Sequence, residues 1–106
     1  MKARTLFFTS HGKAKMRFYG LSEQRIRRVL HTPSRTEQGI APGTIAIMQS
    51  VSAPKHPYEV WIMIEDTNSR RKLISAWKYP GITKPGEPLP PEIIREMRES
   101  VLAGSL

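Results

Sequence analysis

Tyr58-Glu59-Val60-Trp61-Ile62-Met63-Ile64-Glu65 is the stretch that decides the fold of this chain. Tyr58, Val60, Ile62 and Ile64 alternate with Glu59, Trp61, Met63 and Glu65. That is the period of a β-strand, whose successive side chains leave opposite faces. Asp66-Thr67-Asn68-Ser69 follows as a turn, built from short polar side chains that bond the local backbone. Lys72–Tyr79 resumes the alternation, with Leu73, Ser75, Trp77 and Tyr79 on one side, so the two runs read as an antiparallel hairpin. Upstream, Thr44–Ser50 sets Ile45 and Ile47 against Ala46 and Met48. Arg35–Gly39 is an expected edge strand, turned by Ala41-Pro42-Gly43.

The pattern before residue 35 is helical. A short β-prone run, Arg4–Thr9, comes first. Ser10 is placed as an N-cap, His11–Tyr19 as a helix, and Gly20 as its C-terminal cap. His11, Ala14, Lys15 and Phe18 share one face of it. For the second helix, Ser22 is the N-cap, Glu23 favours the positive end of the dipole, and Leu21 and Ile26 form a hydrophobic staple. Ile26, Val29 and Leu30 make its apolar stripe; Arg27 and Arg28 project away, Arg25 flanks, and Pro33 ends it near Thr32. Residues 80–91 hold five prolines and two glycines and read as an extended polar connector. Pro91 suits the start of a last helix, whose stripe is Ile94, Met97 and Val101.

At 106 residues the chain is one domain, with a thin margin for core building. It has no cysteine, which removes disulfides, thiolate metal sites and a cysteine nucleophile. No run approaches the ~18 apolar residues of a membrane span, and the N-terminus turns polar at Thr9-Ser10-His11, unlike a signal peptide. A cytoplasmic protein is expected. The net charge is +8, and nine cations before residue 36 face Glu23 alone. The remainder carries as many acids as bases. A field so one-sided attracts polyanions.

His11, His31 and His56 are far apart and have no ligand spacing, so no metal is expected. Glu65-Asp66 reads either as a divalent-cation pair or as a solvated strand end. Ser10 lies beside His11 without a third member, and no glycine-rich phosphate loop is present. What remains is basic and aromatic. It comprises Lys15, Arg17, Arg25, Arg27, Arg28, Arg70, Arg71, Lys72 and Lys78, with Trp61, Trp77 and Tyr79 as stackers for unpaired bases or as core residues.

The run Phe8-Thr9-Ser10-His11-Gly12-Lys13-Ala14-Lys15-Met16-Arg17-Phe18-Tyr19-Gly20-Leu21-Ser22-Glu23, continued by Ile26, Val29, Leu30 and Pro33, resembles a group of uncharacterised bacterial domains. That group is related to the RelE/ParE-like and BrnT-like toxins of toxin–antitoxin pairs. Lys72-Leu73-Ile74-Ser75-Ala76-Trp77-Lys78 is similar to the final strand of BrnT-like toxins. The resemblance spans about residues 6–80 and implies an α+β fold: two short N-terminal helices on a three- to four-stranded antiparallel sheet, within a domain over residues 1–80. Residues 81–106 would add the connector and a C-terminal amphipathic helix, packed on the same domain or on a partner.

The implied activity is metal-independent cleavage of mRNA, on the ribosome or off it, neutralised by an acidic antitoxin. No cofactor is implied. His11 would be the general acid or base, though a first-turn histidine equally suits a local backbone hydrogen bond. Lys15 would be the phosphate-side cation. Lys78 stands where the related strand carries arginine, without arginine's bidentate fork, and Tyr79 follows it. Arg17, Arg25, Arg27, Arg28, Arg70, Arg71, Lys72 and Trp77 would hold the nucleic acid. Two further readings stand beside this one. The same surface binds RNA or DNA without chemistry, or the C-terminal helix docks on another protein.

Overall fold

The computed structural model describes residues 4–40, 42–86 and 94–95. The elements are β1 (Thr5–Phe8), α1 (Ser10–Tyr19), α2 (Glu23–His31), β2 (Arg35–Gln38), β3 (Thr44–Val51), β4 (Tyr58–Asp66) and β5 (Arg70–Pro80). The sheet order is β1-β5-β4-β3-β2. β2, β3, β4 and β5 pair antiparallel in sequence order, but β1 adds to β5 in parallel, Thr5 opposite Arg70 and Phe8 opposite Leu73.

This corrects the expected three- to four-stranded antiparallel arrangement. The sheet has five strands and is mixed, because the β-prone run at the N-terminus pairs with the last strand instead of standing apart. The expected C-terminal helix is not an element of the described fold. Ile94 and Arg95 are helical, and the rest of it lies outside the described residues.

Each face of the sheet carries a buried apolar cluster. On one, Val60, Ile62 and Ile64 of β4 meet Ile26 and Val29 of α2, all with no exposed surface. Burying each such side chain stabilises by about 1.5–3 kcal/mol. On the other, Trp61 and Trp77 stack at 5.8 Å with planes 1° from parallel, beside Ala46, Met48, Met63 and Ile74. A bulge sets which residue goes where. Met63 pairs with Ser75 and Ile64 with Leu73, so Ile74 is an extra residue in β5. The extra residue reverses the alternation. Leu73 therefore joins the α2 side, whereas Trp77 lies on the opposite face, not on one side with Leu73 as the simple period implied.

Residues 81–86 of the expected connector are mostly exposed but are tied to the sheet at two points. Thr83 is buried against β4, and the Gly86 backbone N–H donates to Glu37 Oε2 of β2 at 2.9 Å.

Candidate nucleic-acid interface

Thr9 fixes α1 to the sheet. It is the N-cap, where Ser10 had been expected, and its Oγ1 accepts from the Gly12 N–H at 3.0 Å. The same hydroxyl donates to the Leu73 carbonyl at 2.8 Å, and the Thr9 N–H reaches that oxygen at 3.2 Å. Gly12 is buried where α1 presses on β5. Gly20 closes the helix at φ 67°, its N–H bonded to the carbonyls of Arg17 and Met16. Tyr19 packs against both core clusters, which places α1 along the margin of the sheet beside β5.

Away from the sheet α1 is exposed at Ser10, Lys13, Ala14, Arg17 and Phe18, whereas His11 and Lys15 are half-buried. Helical spacing puts His11, Lys15 and Phe18 on one flank, and Lys13 and Arg17 on the other. Phe18 is 76 % exposed, unusual for so large an apolar side chain. Lys15 Nζ lies 5.5 Å from its ring centroid, and Tyr19 meets it edge-on at 4.8 Å. A second pair of this kind sits on β1 and β5. Phe7 is 41 % exposed, and the Arg70 guanidinium lies 4.8 Å from its ring centroid.

A cavity of about 430 Å³ opens between α1 and the start of α2. Phe8, Met16 and Leu21 form its apolar wall. Lys13 and Arg17 stand on the α1 side, and Ser22 and Glu23 close it from α2. Ser22 is committed to capping, its Oγ accepting from the Arg25 N–H at 3.0 Å. Glu23 Oε1 is held by Arg27 at 2.8 Å. Lys13 and Arg17 are exposed and form no ion pair among the described residues.

The other expected site residues are scattered. His11 is half-buried, with Nε2 shielded from solvent. Lys78 lies on the α2 side of the sheet, 5.7 Å from the Tyr58 ring, whereas Tyr79 packs on the opposite cluster. Neighbouring strand residues face apart, so the two do not converge on one reacting group. Arg28 is exposed, Arg27 is paired with Glu23, and Arg25 is half-buried on α2. Lys72 lies 3.9 Å from Glu65. Arg71 grips Asp66 with two bonds, at 2.8 and 2.9 Å. These hydrogen bonds hold the Asp66 carboxyl below its ordinary value, against a weaker opposing effect of burial, and raise the Arg71 value. Trp77 has no exposed surface, so it is corrected from a base-stacking residue to a core residue. The Glu65-Asp66 pair is tied to cations, and no group of three metal-ligating side chains occurs among the described residues.

Sequence reasoning passed over two features. Phe7 and Phe18 were the exposed aromatics, and the signal for Phe18 was its shared face with Lys15. Glu59 is a buried carboxylate, accepting from Trp61 Nε1 at 2.9 Å and from Thr83 N and Oγ1 at 3.2 and 2.6 Å. Its signal was an acid inside an otherwise apolar strand.

No protein-family model, curated protein or solved structure matches the chain.

Proposed function

We propose that this protein binds single-stranded RNA along α1 and β1. The observation that carries the reading is the pairing of exposed aromatic rings with cations, Phe18 with Lys15 and Phe7 with Arg70. Unpaired bases stack on such rings whatever their sequence, and adjacent cations meet the phosphates. A purely solubilising surface needs the cations and gains nothing from the rings. The N-terminal excess of positive charge steers the polyanion to the same end of the chain. The reading places the protein in the cytoplasm. Among the described residues, no helix is long and apolar enough to cross a membrane. Titration of a labelled single-stranded RNA against a duplex of the same sequence tests it, and equal affinity for both would remove the stacking argument.

A second reading, toxin-like cleavage, is favoured by one further observation: His11 and Lys15 stand one turn apart on the flank that carries Phe18. An RNA base on Phe18 would bring its backbone beside both. The 2′-hydroxyl would attack the adjacent phosphorus as the P–O5′ bond breaks. His11 would take the 2′-hydroxyl proton as the attack begins and return it to the departing 5′-oxygen, leaving a 2′,3′-cyclic phosphate, while Lys15 would neutralise the oxyanion. An acidic antitoxin would cover the same cations. Incubation of RNA with purified protein in chelator, compared with His11→Ala and Lys15→Ala, tests this. Intact RNA, alone or on ribosomes, leaves binding without chemistry.

A further inference from the structure

We propose that the cavity between α1 and α2 is a pocket for one unstacked nucleobase with its phosphate, and that it prefers bases bearing an exocyclic amino group. The inference rests on the RNA-binding reading and names the part of the RNA that is held.

The cavity's 430 Å³ lies within the range of about 300–1,000 Å³ typical of small-ligand pockets. Its composition is two-sided. Phe8, Met16 and Leu21 offer faces for a planar, weakly polar ring. Lys13 and Arg17, four residues apart on α1, point two cations at the same opening. An apolar ligand would leave both cations unused. A bare phosphate would leave the wall unused. A nucleotide uses both.

Glu23 sets the preference. Arg27 occupies its Oε1, which offsets the carboxylate's charge beside an incoming phosphate. Both Arg27 bonds go to Oε1, so the carboxylate of Glu23, which lines the pocket, keeps Oε2 as a further acceptor. A carboxylate accepts from the amino groups of adenine, cytosine or guanine, as in groove recognition of cytosine N4. Uracil presents no amino group there.

The test is amide NMR of the ¹⁵N-labelled full chain, titrated with AMP, UMP, ribose 5-phosphate and inorganic phosphate, then with a short A-rich RNA. AMP should shift the amides of Lys13, Arg17, Gly20, Leu21 and Ser22. UMP and ribose 5-phosphate should bind about tenfold more weakly or worse, since they lack the amino contact or the ring. The exposed double variant Lys13→Glu/Arg17→Glu should lose AMP binding while its spectrum away from α1 is unchanged. Ribose 5-phosphate or inorganic phosphate matching AMP would overturn the pocket, as would AMP shifts elsewhere on the protein. RNA binding that leaves these amides unmoved would overturn the pocket and leave the RNA reading standing. AMP binding here with no affinity for the oligonucleotide would keep the pocket and remove the RNA reading.

Discussion

Gly12 of α1 lies so close to Leu73 of β5 that a Cβ on it would sit 2.5 Å from the Leu73 carbonyl oxygen. The obstacle is backbone, which cannot swing aside as a side chain tip does. Gly12→Ala therefore pushes α1 off β5. Alanine gains up to ~1 kcal/mol of helix propensity over glycine, but overpacking costs typically 1–3 kcal/mol. Urea denaturation should show a net loss of stability. A more stable variant would contradict the close approach that sets the two flanks of α1.

Thr83→Val removes a hydroxyl that donates to the buried Glu59 carboxylate at 2.6 Å and accepts from Arg35 Nη2 at 2.5 Å. Trp61 Nε1 and the Thr83 N–H still serve Glu59, but one charged acceptor site is left short of a donor. The expected cost is about 1–3 kcal/mol, read as a lower urea midpoint with an unchanged slope. An unaltered midpoint would mean that this network does not hold residues 81–86 to the sheet.

The Asp66–Arg71 pair gives stability a defined pH dependence. Folding depresses the Asp66 carboxyl below its ordinary value, so the unfolded chain takes up this proton first as pH falls. The pair's contribution is complete above the ordinary aspartate value of about 3.9 and fades as pH drops through the folded value. Asp66→Asn should flatten the stability profile in that acid window and lower the plateau above it. A variant whose profile below pH ~4 parallels the wild type would show that Asp66 is not the titrating group.

Much of the local structure was legible in the sequence, because caps and alternation act over few residues. Ser22 caps α2 and Leu21 and Ile26 are buried, as their positions required. Gly20 ends α1 in the left-handed conformation. Thr67 donates its N–H to the Arg70 carbonyl at the turn between β4 and β5. The parallel pairing of β1 with β5 carries no such local signal, since Phe8 and Leu73 meet only through the tertiary fold. The bulge at Ile74 was equally invisible, because one extra residue in β5 leaves the apolar pattern of Leu73–Trp77 readable in either phase. For the site, the charges were legible and their partners were not. Arg71 and Arg27 are committed to Asp66 and Glu23. Trp77, readable from the sequence either as a stacking platform or as a core residue, lies in the core, and Phe18 is the aromatic left exposed on α1.

Phe18→Ala separates binding from folding. At 76 % exposure the ring contributes little to the core, so stability should change by no more than ~0.5 kcal/mol. Losing one base-stacking platform costs roughly 1–3 kcal/mol of binding, which is about a 5- to 150-fold weaker Kd. Fluorescence anisotropy with a labelled single strand reads it, and Phe7→Ala should act in the same direction. Unchanged affinity in both would place the RNA elsewhere.

The most direct measurement of the central claim is the salt dependence of single-stranded RNA affinity for the wild type and for Lys13→Ala/Arg17→Ala. With Lys13, Lys15, Arg17 and Arg70 on phosphates, log Kobs should fall with log salt at a slope of about −3, from ~0.7 per contact on a single strand. The double variant should lose roughly 1.4 of that slope. An affinity indifferent to salt would contradict RNA binding along α1, and a slope that the double variant leaves intact would take Lys13 and Arg17, and the pocket they line, out of the interface.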